Sequence, residues 1–220
     1  MPETLRIEIR NFKKEDRAQV RSIARDTALM GKPASIFFEG PELVSDALTA
    51  YFTDYEPESC FVACVQGELA GYLTGAKSKA VSEKVFMRNI APGLLLKIFK
   101  SGVLLKGKNI VFIFKCLLEM IRGSFVTADF NRQYPATLHI NIKEAFRGKG
   151  IGSGLIATYL DYLKKEKVCG VHLATMSDKG ADFFFKYGFK LLYKGKRSYF
   201  KHILHQDVPL YIFGKKLTED

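Results

Sequence analysis

Residues 147–154 read Arg-Gly-Lys-Gly-Ile-Gly-Ser-Gly. Glycine takes every second position from Gly148 to Gly154, and two cations, Arg147 and Lys149, stand among them. An alternating run precedes this stretch at Ala136–Ile142, and an apolar stripe at helical spacing follows it at Leu155, Ile156, Tyr159, Leu160 and Leu163. A strand feeding a glycine turn and then a helix binds anions. The first N–H groups of a helix have no internal partner, the helix dipole adds positive charge there, and glycine lets the backbone approach a phosphate closely. Neither common nucleotide fingerprint fits. In G-x-G-x-x-G the last position falls on Ser153 or Leu155, according to register. A near match to the P-loop occurs at Gly102–Asn109, but Asn109 replaces the hydroxyl that holds magnesium and no strand precedes it. That stretch reads as a plain glycine turn.

The elements that must position the turn follow from periodicity. Leu5–Arg10 alternates as a strand, and Asn11–Met30 has helical spacing that Gly31 and Pro33 end. Pro41 opens a second helix, and Ser59–Val65 and Leu69–Gly75 form a hairpin across Gln66-Gly67-Glu68. Val168–Met176 is a strand with His172 as a structural residue. Asp178 is placed to cap a helix over Gly180–Tyr187, and strands over Lys190–Leu204 and Val208–Lys216 close the chain. The expected fold is α/β (α+β): a mixed, mostly antiparallel sheet flanked by helices, with a helical insertion. The chain reads as one domain, 1–220, with the insertion at about 77–132.

Bulk composition narrows the partners. The 220 residues carry a formal charge of +11. From Lys77 to Arg132 there are 11 Lys/Arg and 3 acids, so +8 of that excess sits in the insertion. The expectation there is a solvated helical hairpin packed on the sheet with its lysines outward. A lid over an acceptor site is the sharper alternative, and contact with an anionic membrane surface is the least expected. No nucleic-acid partner is expected, because neither a recognition motif nor an aromatic platform accompanies the charge. Four cysteines without Cys-x-x-Cys or zinc spacing read as small buried thiols, and no metal is expected. The charged N-terminus and the lack of a long apolar window point to a cytoplasmic protein.

The run Arg147-Gly148-Lys149-Gly150-Ile151-Gly152 fits R-x-x-G-x-G. With the strand Leu138–Ile142 before it and GADFFFKYGFK after it, the chain resembles the GNAT superfamily of N-acetyltransferases. The resemblance covers all but the insertion and is strongest over Ala136–Phe189. It implies acetyl-CoA as co-substrate and a small-molecule or peptide amine as acceptor. Arg147, Gly148, Lys149, Gly150, Ile151, Gly152 and Ser153 would surround the pyrophosphate. Main-chain groups of Ile140 and Ile142 would pair with the pantetheine arm, and the N–H near Ile142 would polarise the thioester carbonyl. Ser177 and Phe184 stand where the family commonly has Asn and a proton-donating Tyr at the cofactor. A thiol of pKa ~8.5 leaving unprotonated near neutral pH costs roughly 2 kcal/mol. Tyr199, Tyr187 or water would have to supply that proton.

An amine attacks only when neutral, so a general base would help. His139, on the strand before the glycine turn, is the candidate, and a plain polar strand residue is its alternative reading. The local Tyr-Pro-Ala-Thr-Leu-His-Ile resembles one branch of the family in which an Asp often follows; here Asn141 stands there. Glu144 and Asp178 are weaker candidates. The same fold also admits a non-catalytic acyl-CoA-binding or sensing protein.

Overall fold

In the computed structural model, which describes residues 6–125 and 128–217, the alternating segments become seven strands in one sheet. They are β1 (Ile7–Asn11), β2 (Cys60–Val65), β3 (Glu68–Ala76), β4 (Ala136–Ile142), β5 (Gly170–Thr175), β6 (Lys190–Arg197) and β7 (Val208–Lys216). Eight helices accompany them among the described residues: α1 (Arg17–Asp26), α2 (Pro41–Asp54), α3 (Lys79–Val85), α4 (Ala91–Lys100), α5 (Gly107–Ile121), α6 (Ile151–Lys165), α7 (Asp178–Lys186) and α8 (Lys201–Leu204). Leu5, expected to begin the first strand, lies outside the described residues, as do 126–127 of the expected insertion. The sheet order is β1-β2-β3-β4-β5-β7-β6, and every pair is antiparallel except β4 with β5.

The sheet buries both faces. On one side α6 lays Leu155, Ile156, Tyr159 and Leu163 against Phe61, Leu73, Leu138 and Val171. Tyr159 is fully buried and donates its hydroxyl to the carbonyl of Thr137 at 2.8 Å. On the other side α1 sets Val20, Ile23 and Ala24 on Val62 and Tyr72. Asp46 of α2 joins three helices, since it pairs with Arg21 of α1 and accepts from Lys97 of α4 at 2.7 Å.

Four sequence expectations change. The helix expected over Asn11–Met30 is shorter, because Asn11 ends β1 and α1 runs only from Arg17 to Asp26. Lys190–Leu204 is not one strand: β6 ends at Arg197, and 201–204 turn as a short helix closed by His205 in the left-handed region, φ 59°. Two of the four cysteines are buried, but Cys169 is exposed and Cys116 half-buried. The segment between β3 and β4 departs most. α4 and α5 pack on Phe37, Phe38 and Phe200 through Leu94, Ile98, Phe112 and Ile113. Their outer surface is not lysine alone, because Leu95, Leu96, Phe99, Ile110, Phe114 and Ile121 face solvent there.

Asn109, the residue that spoiled the P-loop match, has a structural task. It is fully buried, and its amide bonds the backbone of Glu39 twice, at 2.7 and 3.0 Å, and the carbonyl of Val103 at 2.8 Å. Asn109→Ala would leave three buried backbone groups unpaired, costing about 2–3 kcal/mol. In a chain of this size thermal unfolding should fall by roughly 5–10 °C, as read by circular dichroism.

Candidate functional site

Two neighbouring strands part to make the site. β4 and β5 share two residue pairs, Ala136 with Val171 and Thr137 with His172, although β4 runs on to Ile142 and β5 to Thr175. β5 is held along its other edge by β7 through the whole of Gly170–Thr175. The orientation of β4 is fixed by Lys143, whose N–H donates to Ala70 of β3 at 2.9 Å. Main-chain groups alternate along an antiparallel strand, so Asn141 and His139 face β3 while Ile142 and Ile140 face the opening. The Ile142 carbonyl accepts from Arg147 Nε at 3.1 Å. The Ile142 N–H and both main-chain groups of Ile140 are left toward the gap.

The glycine turn stands at the mouth of that opening. Gly148 and Gly150 have φ of 76° and 80°, and nothing lies within 4 Å of where a Cβ would be. They are glycine for backbone conformation. Gly152 and Gly154 are glycine for packing: a Cβ on Gly152 would sit 3.1 Å from the Phe183 ring, and one on Gly154 would strike Ile9. α6 starts at Ile151 with no side-chain cap, and its first backbone bond is Gly154 N–H to the Gly150 carbonyl at 3.1 Å. None of the amides from Gly148 to Ser153 finds an acceptor among the described residues. Six successive donors at the positive end of a helix, with Arg147 and Lys149 exposed beside them, form a phosphate cradle by the rule for helix N-termini. Lys149 Nζ lies 5.4 Å over the Phe146 ring. The Arg147 guanidinium lies on Gly31, where a Cβ would approach Nη2 to 2.6 Å. Sequence reasoning took Gly31 only as a helix stop; its φ of 89° and this contact make it part of the site.

His139 faces the α1 side of the sheet, opposite Thr74 of β3. Water reaches its ring, yet protein surrounds the residue closely, so it lies in a recess, and that desolvation lowers its pKa. The ring is therefore neutral at pH 7. Nε2 lies 3.1 Å from Asn141 Nδ2, which is also 2.9 Å from the hydroxyl of fully buried Tyr72. A half-turn of the Asn141 amide would make Oδ1 the acceptor for both partners, put the imidazole proton on Nε2 and free Nδ1 as a base. Tyr72 and the contact role of Asn141 were missed in the sequence. Their meeting depends on the register that pairs Tyr72 of β3 with Asn141 of β4, which periodicity does not give.

The other expected residues are placed as follows. Ser177, not Asp178, caps α7: its Oγ accepts from the Gly180 N–H at 3.3 Å, while Asp178 accepts from the Tyr211 hydroxyl at 2.7 Å. Phe184 is buried in the core with its ring on Phe183, Phe189 and Phe213, so it packs the sheet rather than facing the turn. Phe183 is the aromatic that meets Gly152. The Tyr199 hydroxyl points at Met176 Sδ, 3.4 Å away, and its ring stacks on Phe125. Burial pushes its pKa up to about 12. Glu144 is exposed at the start of a short 3-10 turn. His172 donates its Nδ1–H to the Tyr134 carbonyl at 2.6 Å, so it ties β5 to the segment before β4. Two cavities, of about 290 Å³ beside Glu119 and Tyr199 and about 400 Å³ beside Leu160 and Tyr187, lie apart from the turn. The site is an open groove between strands, not an enclosed cavity.

Residues 116–189 match the model of the Acetyltransferase (GNAT) family. Across the fold the chain is similar to SsHAT, with 21% identity and a TM-score of 0.72 over 97% of this chain and 99% of that one. The chain carries the GNAT acetyltransferase fold. It is also similar to the Salmonella typhimurium protein yncA, solved with its cofactor acetyl-CoA (15% identity, TM-score 0.59, 97% of this chain and 95% of that one). A third similar structure is the Drosophila melanogaster polyamine N-acetyltransferase, which forms N-acetylagmatine (14% identity, TM-score 0.60, 96% of this chain and 100% of that one). No curated protein sequence matches the chain. The six unpaired amides, the two exposed cations and the open edge of β4 have the donors and shape for a diphosphate and an amide-bearing arm.

The recess makes a titration prediction. His139, followed by NMR of its ring carbons, should titrate below the ordinary imidazole value of ~6.5. Asn141→Asp places a carboxylate beside Nε2 and favours the charged ring, so the midpoint should rise by about one unit or more.

Proposed function

We propose that this protein is an acetyl-CoA-dependent N-acetyltransferase that acts on a primary amine of a small molecule or peptide by direct attack. The observation that carries the reading is the run of six acceptor-less amides, Gly148–Ser153, opening onto the gap between β4 and β5. In this reading the amides of the turn hold the pyrophosphate, with Arg147 and Lys149 adding charge. Ile140 binds the pantetheine arm through both main-chain groups, as a neighbouring strand would. Acetyl-CoA supplies the acetyl group as a thioester, and the Ile142 N–H is the donor nearest the reacting carbonyl. Ser177 acts by starting α7, and Phe184 by packing beneath it. We read the protein as cytoplasmic and as one domain in which about 77–132 is an insertion. α4 and α5 share a core with Phe37 and Phe200, which supports that unity.

His139 takes the proton from the acceptor amine. An amine of pKa ~10.4 is mostly protonated at pH 7, and a neutral imidazole in a recess is an available base. Asn141 and Tyr72 fix the ring and its tautomer. The departing sulfur is the harder step. A proton moving from Tyr199, at a pKa of about 12, to a thiolate of pKa ~8.5 runs uphill by about 5 kcal/mol. The CoA thiolate therefore leaves unprotonated, at a cost of roughly 2 kcal/mol, and takes its proton from bulk solvent afterwards, while Tyr199 serves to pack α5 on the end of β5. A non-catalytic acyl-CoA-binding protein is the second reading, and the burial of Phe at the family's usual tyrosine position favours it.

Calorimetry should show acetyl-CoA binding with a dissociation constant on the order of micromolar. Gly150→Glu, with a side chain forced onto a left-handed residue in the cradle, should weaken it by at least about tenfold. CoA release on incubation with a panel of amines separates the two readings: release supports the enzyme, and tight binding without release supports the binder. His139→Ala should lower kcat by about 10²–10³ and remove the acid limb of the pH profile, which in the unaltered enzyme lies below pH ~6.5. An unchanged rate and limb would remove His139 from the mechanism.

A further inference from the structure

Most of the exposed large apolar side chains lie between Val81 and Phe125. On α5 they recur as Ile110, Phe114, Leu117 and Ile121, a helical stripe that points away from the core. The opposite side of α5, Phe112 and Ile113, is the one packed inward. α4 repeats the pattern, with Leu94 and Ile98 inward and Leu95, Leu96 and Phe99 outward. Leu105, at the turn joining the helices, is 86% exposed, Ile121 81% and Phe99 72%. Exposed apolar side chains in such number on two successive helices and the turn between them mark an interaction site.

The charge around it identifies the occupant. No acidic residue occurs between Glu83 and Glu119. Lys97 is committed to Asp46, and Lys106 and Lys108 to Glu39. Lys84, Arg88, Lys100 and Lys115 make no ion pair among the described residues. A second copy placed on this face by two-fold symmetry would bring those cations against their own counterparts with no acid between them. No helix among the described residues is long and apolar enough to cross a membrane. We propose that α4, α5 and the turn between them form a peripheral docking surface for an anionic lipid bilayer. Leu95, Leu96, Phe99, Leu105, Phe114 and Ile121 enter the headgroup–acyl boundary, and the exposed cations Lys84, Arg88 and Lys100 contact lipid phosphates and carboxylates. This inference does not depend on acetyl transfer.

The chain contains no tryptophan, so Phe114→Trp gives a single reporter on the face. With vesicles of three parts phosphatidylcholine to one part phosphatidylserine, the full-length protein should co-sediment and the Trp emission should shift to the blue. Phosphatidylcholine alone should give neither. Phe99→Ser with Ile121→Ser, and separately Arg88→Glu with Lys100→Glu, should each lower partitioning by at least about tenfold. These side chains lie outside the core, so thermal unfolding should hold. Should a double variant fail to fold, the reporter decides alone. Protein left in the supernatant with emission at the water position would overturn the proposal. So would partitioning that the substitutions do not change, or a dimer in analytical ultracentrifugation that they dissolve without any vesicle binding.

Discussion

The parting of β4 from β5 is the constraint on which the rest of the site depends. An interior strand pair normally bonds along its length, because an unpaired buried backbone group costs more than a bonded one contributes. Here the pair stops after Thr137 and His172. The separation persists because each strand is fixed elsewhere: β5 to β7 along its full length, and β4 to β3 from Thr137 to Ile142. Tyr159 and His172 hold the closed end of the gap through the Thr137 and Tyr134 carbonyls. The open end is then set by the sheet rather than by a mobile loop, and the turn at 148–153 is delivered to its mouth.

The two ends of the groove work by different physics. At the turn an anion would meet amides that have no acceptor among the described residues, so nothing would have to be broken to bind it. At His139 the surrounding protein lowers the pKa of an imidazole that water still reaches, which keeps it neutral and able to take a proton. Arg147 links the two regions, since its guanidinium lies on Gly31 of the α1–α2 connection and its Nε on the Ile142 carbonyl.

Much of this was legible in the residues. Ala136–Ile142 alternates because one face meets α6 and the other the recess, and the structure has the strand at those same bounds. The glycine turn was legible as a helix start, but its four glycines were not separable by sequence: two serve backbone conformation and two serve the closeness of Phe183 and Ile9. Ser177 and Asp178 are both capable caps, and only geometry chose the first. Phe184 could have faced either way in a run of three phenylalanines. α5 misled more deeply. Residues 110–114 are apolar all round, so periodicity could not say which side packs. The outer surface is not lysine alone because α5 turns Ile110, Phe114, Leu117 and Ile121 outward while Asn109 and Glu119 are buried.

The most direct test of the account is a titration of the ¹⁵N-labelled protein with acetyl-CoA, followed by its assigned amide spectrum. The expected result is large shifts of the Gly148, Lys149, Gly150, Ile151, Gly152 and Ser153 amides, together with Ile140 and Ile142, and little change around Glu119 and Tyr199. Saturating cofactor that leaves those eight signals in place, or that shifts the cavity beside Tyr199 instead, would contradict it.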